Sequence, residues 1–167
     1  MALNAYLSLT GQKTGQIRGS VTQKGREGKI AVIACSHDVT SPRDAASGQA
    51  TGKAQHTPLV VTKELDRASV PLHQVQVDNE IFKEWKLEFW TPQLRASTGV
   101  GAEVQHFTIQ LTNASIASFA MRMPNNKHPD LTRFETYEEI AFVYEQIEWT
   151  WMDGGLSATA SWGSRID

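Results

Sequence analysis

Alternating apolar and polar positions run through most of the chain, and this period of two predicts β-strands. In Ala5–Thr10, Ile81–Trp90 and Glu103–Leu111, apolar residues recur at alternate positions, which is typical of a strand with one buried face. Apolar runs bounded by turn-forming residues predict five further strands. These are Ile17–Val21, Lys29–Val39, Thr57–Thr62, Ala114–Met123 and Leu156–Trp162, and we expect the second to be one continuous strand.

The longest predicted strand is Tyr137–Trp151, in which the apolar parity changes partway along. Ile140 and Phe142 share one parity, whereas Ile147 has the other. This change predicts a β-bulge at Glu145–Gln146. The strand contains no proline or lysine to protect an open edge. We therefore expect it to lie at a sheet edge and to pair with another copy of the chain.

One helix is predicted, at Ser69–Asn79. Ser69 suits the N-cap position, and Pro71 falls in the first turn, where its missing N–H costs little. The helix follows a charged turn, Lys63–Arg67. We expect this turn to hold the strand-to-helix corner together, with its charges paired either locally or across a subunit boundary. The segment Ser41–Gln55 has no periodicity and is predicted to be a long polar loop.

These elements predict a mainly β fold. We expect a single β-barrel-like domain over residues 1–167, made of two packed antiparallel sheets with one α-helix, at about 69–79, on the outside. The composition agrees, because 40% hydrophobic and 20% charged residues are ordinary for a globular chain. A net charge of −2 gives no reason to expect nucleic acid as a partner, and no apolar run is long enough for membrane insertion.

The cysteine content and the N-terminus bear on the compartment. The single cysteine, Cys35, cannot form an internal disulfide, so folding does not require an oxidising compartment. The N-terminal MALNAYLSLTGQ lacks the basic and apolar regions of a cleavable signal peptide. We therefore expect the protein to fold in the cytoplasm and, if it is exported, to leave by a route that reads no cleavable leader.

No catalytic, cofactor-binding or metal site is predicted. In Cys35–Asp38, neighbouring side chains alternate between the two faces of a strand, so a nucleophile and its base would point apart. The five histidines have no short metal-ligand spacing among them. Adjacent Glu138 and Glu139 also point to opposite faces, and the segment Gly11–Gly15 lacks the ending of a phosphate-binding loop.

Charge is divided between two segments. Lys13–Lys29 holds five basic residues and one acid, whereas Phe134–Asp153 holds six acids and no lysine or arginine. Two interpretations stay open: the segments pair within one molecule, or they match opposite surfaces of two copies, head to tail. With three charges of the long loop, the candidate self-assembly residues are Lys13, Arg18, Lys24, Arg26, Arg43, Asp44, Lys53, Glu138, Glu139, Glu145 and Glu148.

Four stretches of the sequence, taken in order, resemble the Hcp family, the haemolysin-coregulated tube proteins of bacterial type VI secretion systems. They are MALNAYLSLTG, IRGSVTQKGREGKIAVIACSHDV, HTPLVVTKELDRASVPLHQ and YEQIEWTWMDGG. The resemblance runs from about Leu3 to Trp162. It implies a protein that is not an enzyme, needs no cofactor, forms six-membered rings with a wide central pore, and stacks these rings into a tube.

The resemblance also implies partners and a destination. The partners are further copies of the chain, effector proteins in the lumen, and the sheath, baseplate and spike-tip proteins of the secretion apparatus. The destination is outside the producing cell, reached without a cleavable signal peptide. The loop Ser41–Gln55 resembles the family's extended loop, which reaches toward a neighbouring subunit or ring. Arg43, Asp44 and Lys53 are its candidate contacts.

A different class of function stays open beside the tube protein. A small β-barrel could bind an apolar ligand in its interior, with the five tryptophans lining the pocket. Trp85, Trp149 and Trp151 fit equally well as core or interface packing. The native mass distinguishes the two hypotheses, because a ring of six chains supports the tube protein and a monomer that takes up a lipophilic probe supports the binding barrel.

Overall fold

The computed structural model describes residues 4–92 and 103–163, and within them the chain forms thirteen β-strands and one α-helix. The strands are β1 (Asn4–Gly11), β2 (Gly15–Ile17), β3 (Ile30–Val32), β4 (Ala34–Ser36), β5 (Val39–Thr40), β6 (Gln55–His56), β7 (Leu59–Glu64), β8 (Phe82–Pro92), β9 (Glu103–Thr112), β10 (Ser115–Arg122), β11 (Tyr137–Val143), β12 (Gln146–Trp151) and β13 (Leu156–Ser161). The helix α1 (Ser69–Val77) lies between β7 and β8, and a 3₁₀ turn covers Pro129–Leu131.

The strands form two main sheets in which neighbouring strands run antiparallel. The larger sheet has the order β13-β12-β9-β8-β1-β2, and β3 also pairs with β1. The smaller sheet has the order β10-β11-β7-β4, and β5 pairs separately with β6. The two sheets meet where Phe82 N–H donates to the Ala114 carbonyl at 2.9 Å. This architecture confirms the predicted fold class of packed antiparallel sheets with one helix.

The apolar run Lys29–Val39 was predicted to form one strand, but it contributes to three short strands, β3, β4 and β5. Ile33 interrupts it and is 58% exposed. Before Ile33, β3 pairs with β1 in the larger sheet; after it, β4 pairs with β7 in the smaller sheet. The Ile33 N–H donates to the Thr62 carbonyl at 2.9 Å, which fixes the crossing point. The chain therefore changes sheets at this residue, a change that a continuous apolar run conceals.

The segment Tyr137–Trp151 also changes sheets, so the predicted bulge at Glu145–Gln146 is wrong. Strand β11 belongs to the smaller sheet and β12 to the larger one, with Tyr144 and Glu145 between them. The parity of the buried residues changes because the two halves face the core from opposite sheets. Strand β11 lies between β10 and β7, and β12 lies between β9 and β13. The prediction that this segment forms a free edge is therefore also wrong.

The helix begins at Ser69, as predicted, and ends at Val77, two residues earlier than predicted. Ser69 is the first helical residue and not the N-cap, which is Ala68. Leu72 and Val75 are buried, and the ring of His73 lies 4.0 Å from that of Phe119 on β10. One side of α1 therefore packs against the smaller sheet.

Side chains fill the space between the two sheets. Leu7 and Trp85 from the larger sheet, Val61 and Phe142 from the smaller one, and Leu72 from α1 are all fully buried. The rings of Trp85 and Phe142 meet edge to face with their centroids 5.3 Å apart, a favourable geometry for two aromatic groups. This shared core joins both sheets and the helix in one packed body.

The five tryptophans do not line one interior pocket. Trp85 is fully buried in the core, and Trp151 is 45% exposed at the end of β12 in the larger sheet. Trp90, Trp149 and Trp162 are half-buried at three different elements. Nothing in this arrangement favours the hypothesis of an apolar ligand held among tryptophans in the interior.

The polar segment Ser41–Gln55 forms most of a hairpin that we call the arm, defined as residues 39–56. Strands β5 and β6 pair at its base, and Arg43 forms an isolated antiparallel bridge with Ala50 further out. Its side chains are exposed except for those of Pro42 and His56, which are half-buried. A hairpin with so few packed side chains is marginally stable by itself.

Candidate self-assembly surfaces

Two charges of the turn before the helix, Lys63 and Asp66, join Glu138 in a largely buried ion cluster. Lys63 and Glu138 are each 0% exposed, and Lys63 Nζ lies 2.6 Å from Glu138 Oε2. The same ammonium group lies 2.9 Å from Asp66 Oδ1 and donates to Ser69 Oγ at 3.0 Å. Ser69 Oγ in turn donates to Glu138 Oε2 at 2.8 Å. These charges pair within the chain, which is the first of the two alternatives for the turn.

This geometry removes Glu138 from the candidate interface residues. Its position on β11 is opposite Lys63 on β7, and both side chains point into the core. A carboxylate with no exposed surface cannot reach a second copy of the chain. Glu138 therefore acts in the architecture of the strand-to-helix corner. Removal of Lys63 would leave the Glu138 carboxylate buried without a cation, and removal of Glu138 would leave the Lys63 ammonium with Asp66 alone.

Arg26 is a second candidate that the structure places inside the molecule. It is 6% exposed, and its guanidinium lies 4.2 Å from the ring centre of Trp90 and 5.1 Å from that of Tyr6. It also pairs with Glu103, and this hydrogen bond lowers the pKa of the Glu103 carboxyl. Lys29 pairs in the same way with Glu88. These two ion pairs therefore hold the basic segment against the larger sheet.

The acidic candidates are dispersed over different surfaces. Glu139 is half-buried and pairs with Arg122 Nε at 3.1 Å on the smaller sheet. Glu145 is exposed at the corner between β11 and β12 and accepts a hydrogen bond from Asn113 Nδ2 at 2.6 Å. Glu148 is half-buried on β12 of the larger sheet. The within-molecule interpretation expected the acidic segment to pair with the basic segment. No ion pair joins these two segments in the described residues.

Besides Glu145, six further candidates lie on the surface of the protein. Lys13, Arg18, Lys24, Arg43, Asp44 and Lys53 are all exposed. None of the five basic ones forms an ion pair within the described part of the chain. At the tip of the arm, Asp44 Oδ1 accepts hydrogen bonds from the N–H groups of Ser47 (2.7 Å) and Ala46 (3.1 Å), which lower the pKa of Asp44. Three of the six lie on the arm, and the other three lie in the basic segment Lys13–Lys29.

Sequence reasoning missed the edges of the smaller sheet. Strands β10 and β4 each have a neighbour on one side only in the described chain. Strand β10 is eight residues long and contains no proline or lysine. Open edges of this kind can pair with another chain. The sequence did contain a signal for this edge. The absence of proline and lysine, which we used to predict an open edge at residues 137–151, applies equally to Ser115–Arg122.

A groove crosses one end of the smaller sheet and has a volume of about 660 Å³. It is lined mainly by apolar side chains, and Met121, Met123 and Phe134 are 59%, 68% and 53% exposed. Exposed apolar patches of this kind are typical of interaction surfaces. Nothing in the described chain covers the groove.

The described residues offer little for catalysis or metal binding. Burial raises the pKa of Cys35 to about 11, so its thiol is protonated at neutral pH. No group of three or more His, Cys, Asp or Glu side chains in residues 4–92 and 103–163 is placed to hold a metal ion. In the same ranges, no helix has the length and apolar character needed to cross a membrane.

The fold defines a β-protein of two packed antiparallel sheets, with a projecting hairpin and with sheet edges that no strand of the described residues pairs. Residues 6–151 match the family model described as type VI secretion system effector, Hcp. Over 175 aligned residues the chain is 31% identical to the "Major exported protein" of Pseudomonas aeruginosa strain PAO1, covering 99% of both chains. The chain therefore belongs to the Hcp family of type VI secretion, whose members are structural, secreted tube proteins and not enzymes.

Solved structures agree with this assignment. The fold is similar to that of a mutant of the Hcp1 protein from the E. coli EAEC 042 pathovar, with a TM-score of 0.83, 28% identity, and coverage of 97% of this chain and 100% of the other. It is also similar to the secreted protein Hcp3 from Pseudomonas aeruginosa, with a TM-score of 0.76, 26% identity, and coverage of 98% and 100%. The resemblance seen in the sequence is confirmed.

Proposed function

We propose that the chain assembles into six-membered rings that stack into the inner tube of a type VI secretion system. The tube is expelled by a contractile sheath and carries effector proteins in its lumen. The ring contacts are made by the smaller sheet, in which β10 of one copy pairs with β4 of the next. The observation that carries this proposal is the two edges of one sheet, β10 and β4, neither of which is paired on its outer side by residues 4–92 or 103–163.

Pairing between these two edges is head to tail. Because β10 and β4 are different surfaces of one copy, each copy offers one of each, and the contact repeats around an axis until the ring closes. Main-chain hydrogen bonds would then satisfy the N–H and C=O groups that the edges leave open. Strand β4 is only three residues long, so side-chain contacts must add to the edge pairing.

The arm supplies such contacts in this proposal. Arg43, Asp44 and Lys53 are exposed on a hairpin whose side chains pack on little of their own chain. A marginally stable hairpin gains packing when it lies on a second copy. The exposed basic residues Lys13, Arg18 and Lys24, and the exposed acid Glu145, can match charge between successive copies, which sets register more than affinity.

Secretion follows from assembly in this proposal. The chain is made in the cytoplasm and leaves the producing cell as part of the tube. The sheath, baseplate and spike-tip proteins are its partners in the apparatus. The family assignment and the relative named for its export support this route.

A proline in the β10 edge tests the ring contact. Strand β10 has a register shift between Ile116 and Ser118, so Ala117 is the extra residue of a bulge. Proline is tolerated at bulges and on edge strands, but it removes an N–H that a neighbouring strand would need. We expect Ala117→Pro to keep the far-ultraviolet circular dichroism of the wild type and to convert six-chain rings into monomers in native mass spectrometry.

The matched control is Ala117→Ser, which keeps the backbone N–H and should keep the ring. Rings that persist in a folded Ala117→Pro protein would overturn the β10 contact. A wild-type protein that stays monomeric at high concentration would overturn the ring itself.

A further inference from the structure

Two histidines and one tyrosine meet at the base of the arm. His37 precedes β5, His56 lies in β6, and Tyr144 lies at the corner between β11 and β12. The Tyr144 hydroxyl oxygen is 2.6 Å from His37 Nε2 and 2.7 Å from His56 Nδ1. A single phenol therefore contacts the chain at both ends of the arm.

The number of available protons limits how these three groups can bond. The phenol of Tyr144 has one O–H, so it can donate to only one ring. The second ring must donate its own N–H to the phenol oxygen. At least one of His37 and His56 must therefore present an unprotonated nitrogen, and the network is complete only while that ring is neutral.

Aromatic side chains pack against the three groups. The ring of Trp162 stacks on His56 at 5.9 Å and lies 5.0 Å from the ring of Tyr144. The ring of Trp149 lies 6.2 Å from His37 on another side. Burial among these groups disfavours a positive charge on His37.

Charged neighbours do not offset this cost. Burial and the nearby His56 lower the pKa of His37, while Asp38 acts in the opposite direction. Glu145, the residue after Tyr144, is exposed and accepts a hydrogen bond from Asn113. Burial also raises the pKa of Tyr144 to about 12, so the phenol keeps its proton.

We propose that Tyr144, His37 and His56 form a pH-sensitive latch that fastens the base of the arm to the corner between the two sheets. Protonation of the ring that accepts the Tyr144 proton leaves the hydroxyl hydrogen without an acceptor. It also places a positive charge beside the second ring, whose centroid is 6.1 Å from the first. The arm is held at neutral pH and released in acid.

The direction of the pH effect follows from proton linkage. A histidine whose pKa is lower in the latched state binds fewer protons there than in the released state. The latched state is therefore favoured above the ordinary histidine pKa of about 6.5 and loses stability as the pH falls below it. The latch joins parts of one copy, so it goes beyond the proposed ring and does not depend on it.

Hydrogen exchange at the arm base measures the latch directly. The Thr57 N–H donates to the Asp38 carbonyl at 3.0 Å, and Val39 pairs with His56. We expect protection factors at these amides, corrected for intrinsic exchange, to fall about tenfold or more between about pH 7.5 and about pH 5.5. Amides of β1 and β8 should keep their protection, which excludes global unfolding.

Uncharged mimics separate the latch from a general effect of acid. Gln at position 37 can place an amide near the site of Nε2, and Asn at position 56 can do so near the site of Nδ1. We expect the double variant His37→Gln/His56→Asn to lose the pH dependence. Tyr144→Phe, which removes only the hydroxyl, should lower protection already at neutral pH. Tyr137→Phe, a hydroxyl deletion on β11 away from the arm, should behave like the wild type.

Two results would overturn the latch. One is a wild-type protein whose arm-base protection is the same at both pH values. The other is a double variant, folded by circular dichroism, that keeps the wild-type pH dependence. If the double variant fails to fold, Tyr144→Phe decides, since unchanged protection at neutral pH in that variant also contradicts the proposal.

Discussion

Lys63 and Glu138 stand opposite each other on β7 and β11, fully buried, with the ammonium nitrogen 2.6 Å from one carboxylate oxygen. Ser69 and Asp66 bind the same ammonium group, so the pair also fixes the start of α1. A strand, its neighbour and the helix thus meet at one charged centre. Charges that suggested a surface for other copies instead join parts of one molecule.

Replacing one residue of this pair should destabilise the fold strongly. We expect Glu138→Ala to lower the free energy of unfolding by about 3 kcal/mol, because the buried ammonium of Lys63 loses its fully buried counter-charge and keeps only Asp66. Urea denaturation followed by tryptophan fluorescence measures this. Glu139→Ala is the control, since its pair with Arg122 is largely exposed and should contribute about 1 kcal/mol or less. Equal losses in the two variants would contradict the buried cluster.

The sequence predicts the positions of strands and helix well, but it predicts poorly which strands lie side by side. Alternation located β8 and β9, and Pro71 and the apolar stripe located α1, because these signals lie within about ten residues of each other. The pairing of Lys63 with Glu138 depends instead on β7 lying beside β11, which are far apart in the chain. No local period carries that information.

The changes of sheet explain the two wrong strands. The parity change within Tyr137–Trp151 was visible in the sequence, but a bulge and a change of sheet produce the same pattern over a few residues. At Ile33 even this signal is weak, because Ile30, Val32 and Ile33 are all apolar and only exposure separates them. Distinguishing these cases requires knowing which strands lie alongside.

Arg26 should behave as a structural residue although it lies in the basic segment. We expect Arg26→Ala to lower the free energy of unfolding by about 2–4 kcal/mol, because it removes the cation that pairs with Glu103 and uncovers the ring of Trp90. Thermal or urea denaturation measures the loss. Lys24→Ala, at an exposed position two residues earlier, should change stability by less than about 0.5 kcal/mol. A similar small effect from both variants would show that the guanidinium contributes little.

The tip of the arm allows assembly to be weakened separately from folding. Asp44→Ala removes the acceptor of the Ser47 and Ala46 N–H groups and should loosen the tip, with no measurable change in the unfolding of the two sheets. If the arm lies on a neighbouring copy, this variant should dissociate at a higher protein concentration than the wild type. Dilution series by native mass spectrometry measure this. Lys53→Ala, which leaves the turn at Asp44 intact, is the comparison, and an unchanged dilution profile for Asp44→Ala would argue against arm contacts.

The turn between β1 and β2 depends on one carboxylate and should respond to acid. Glu80 is 4% exposed, and its oxygens accept hydrogen bonds from the N–H of Thr14 at 2.8 Å and from the Thr14 hydroxyl at 2.7 Å. Burial alone would raise the pKa of Glu80, but these bonds, with that from the Lys13 N–H, lower it below its ordinary value of 4.5. The carboxylate therefore contributes stability above pH 4.5, and this contribution is lost as the pH falls through the lower pKa of the folded state.

Replacing Glu80 tests this contribution. We expect Glu80→Gln to lower the free energy of unfolding at neutral pH by about 1–3 kcal/mol, because the amide nitrogen cannot accept from Thr14. The variant should also lose less stability than the wild type between pH 5 and pH 3 in urea denaturation. Glu84→Gln, whose exposed carboxylate accepts only from Thr10 at 3.2 Å among its described partners, should match the wild type in both respects. Parallel pH profiles for Glu80→Gln and the wild type would mean that the acid sensitivity of the fold arises at other carboxylates.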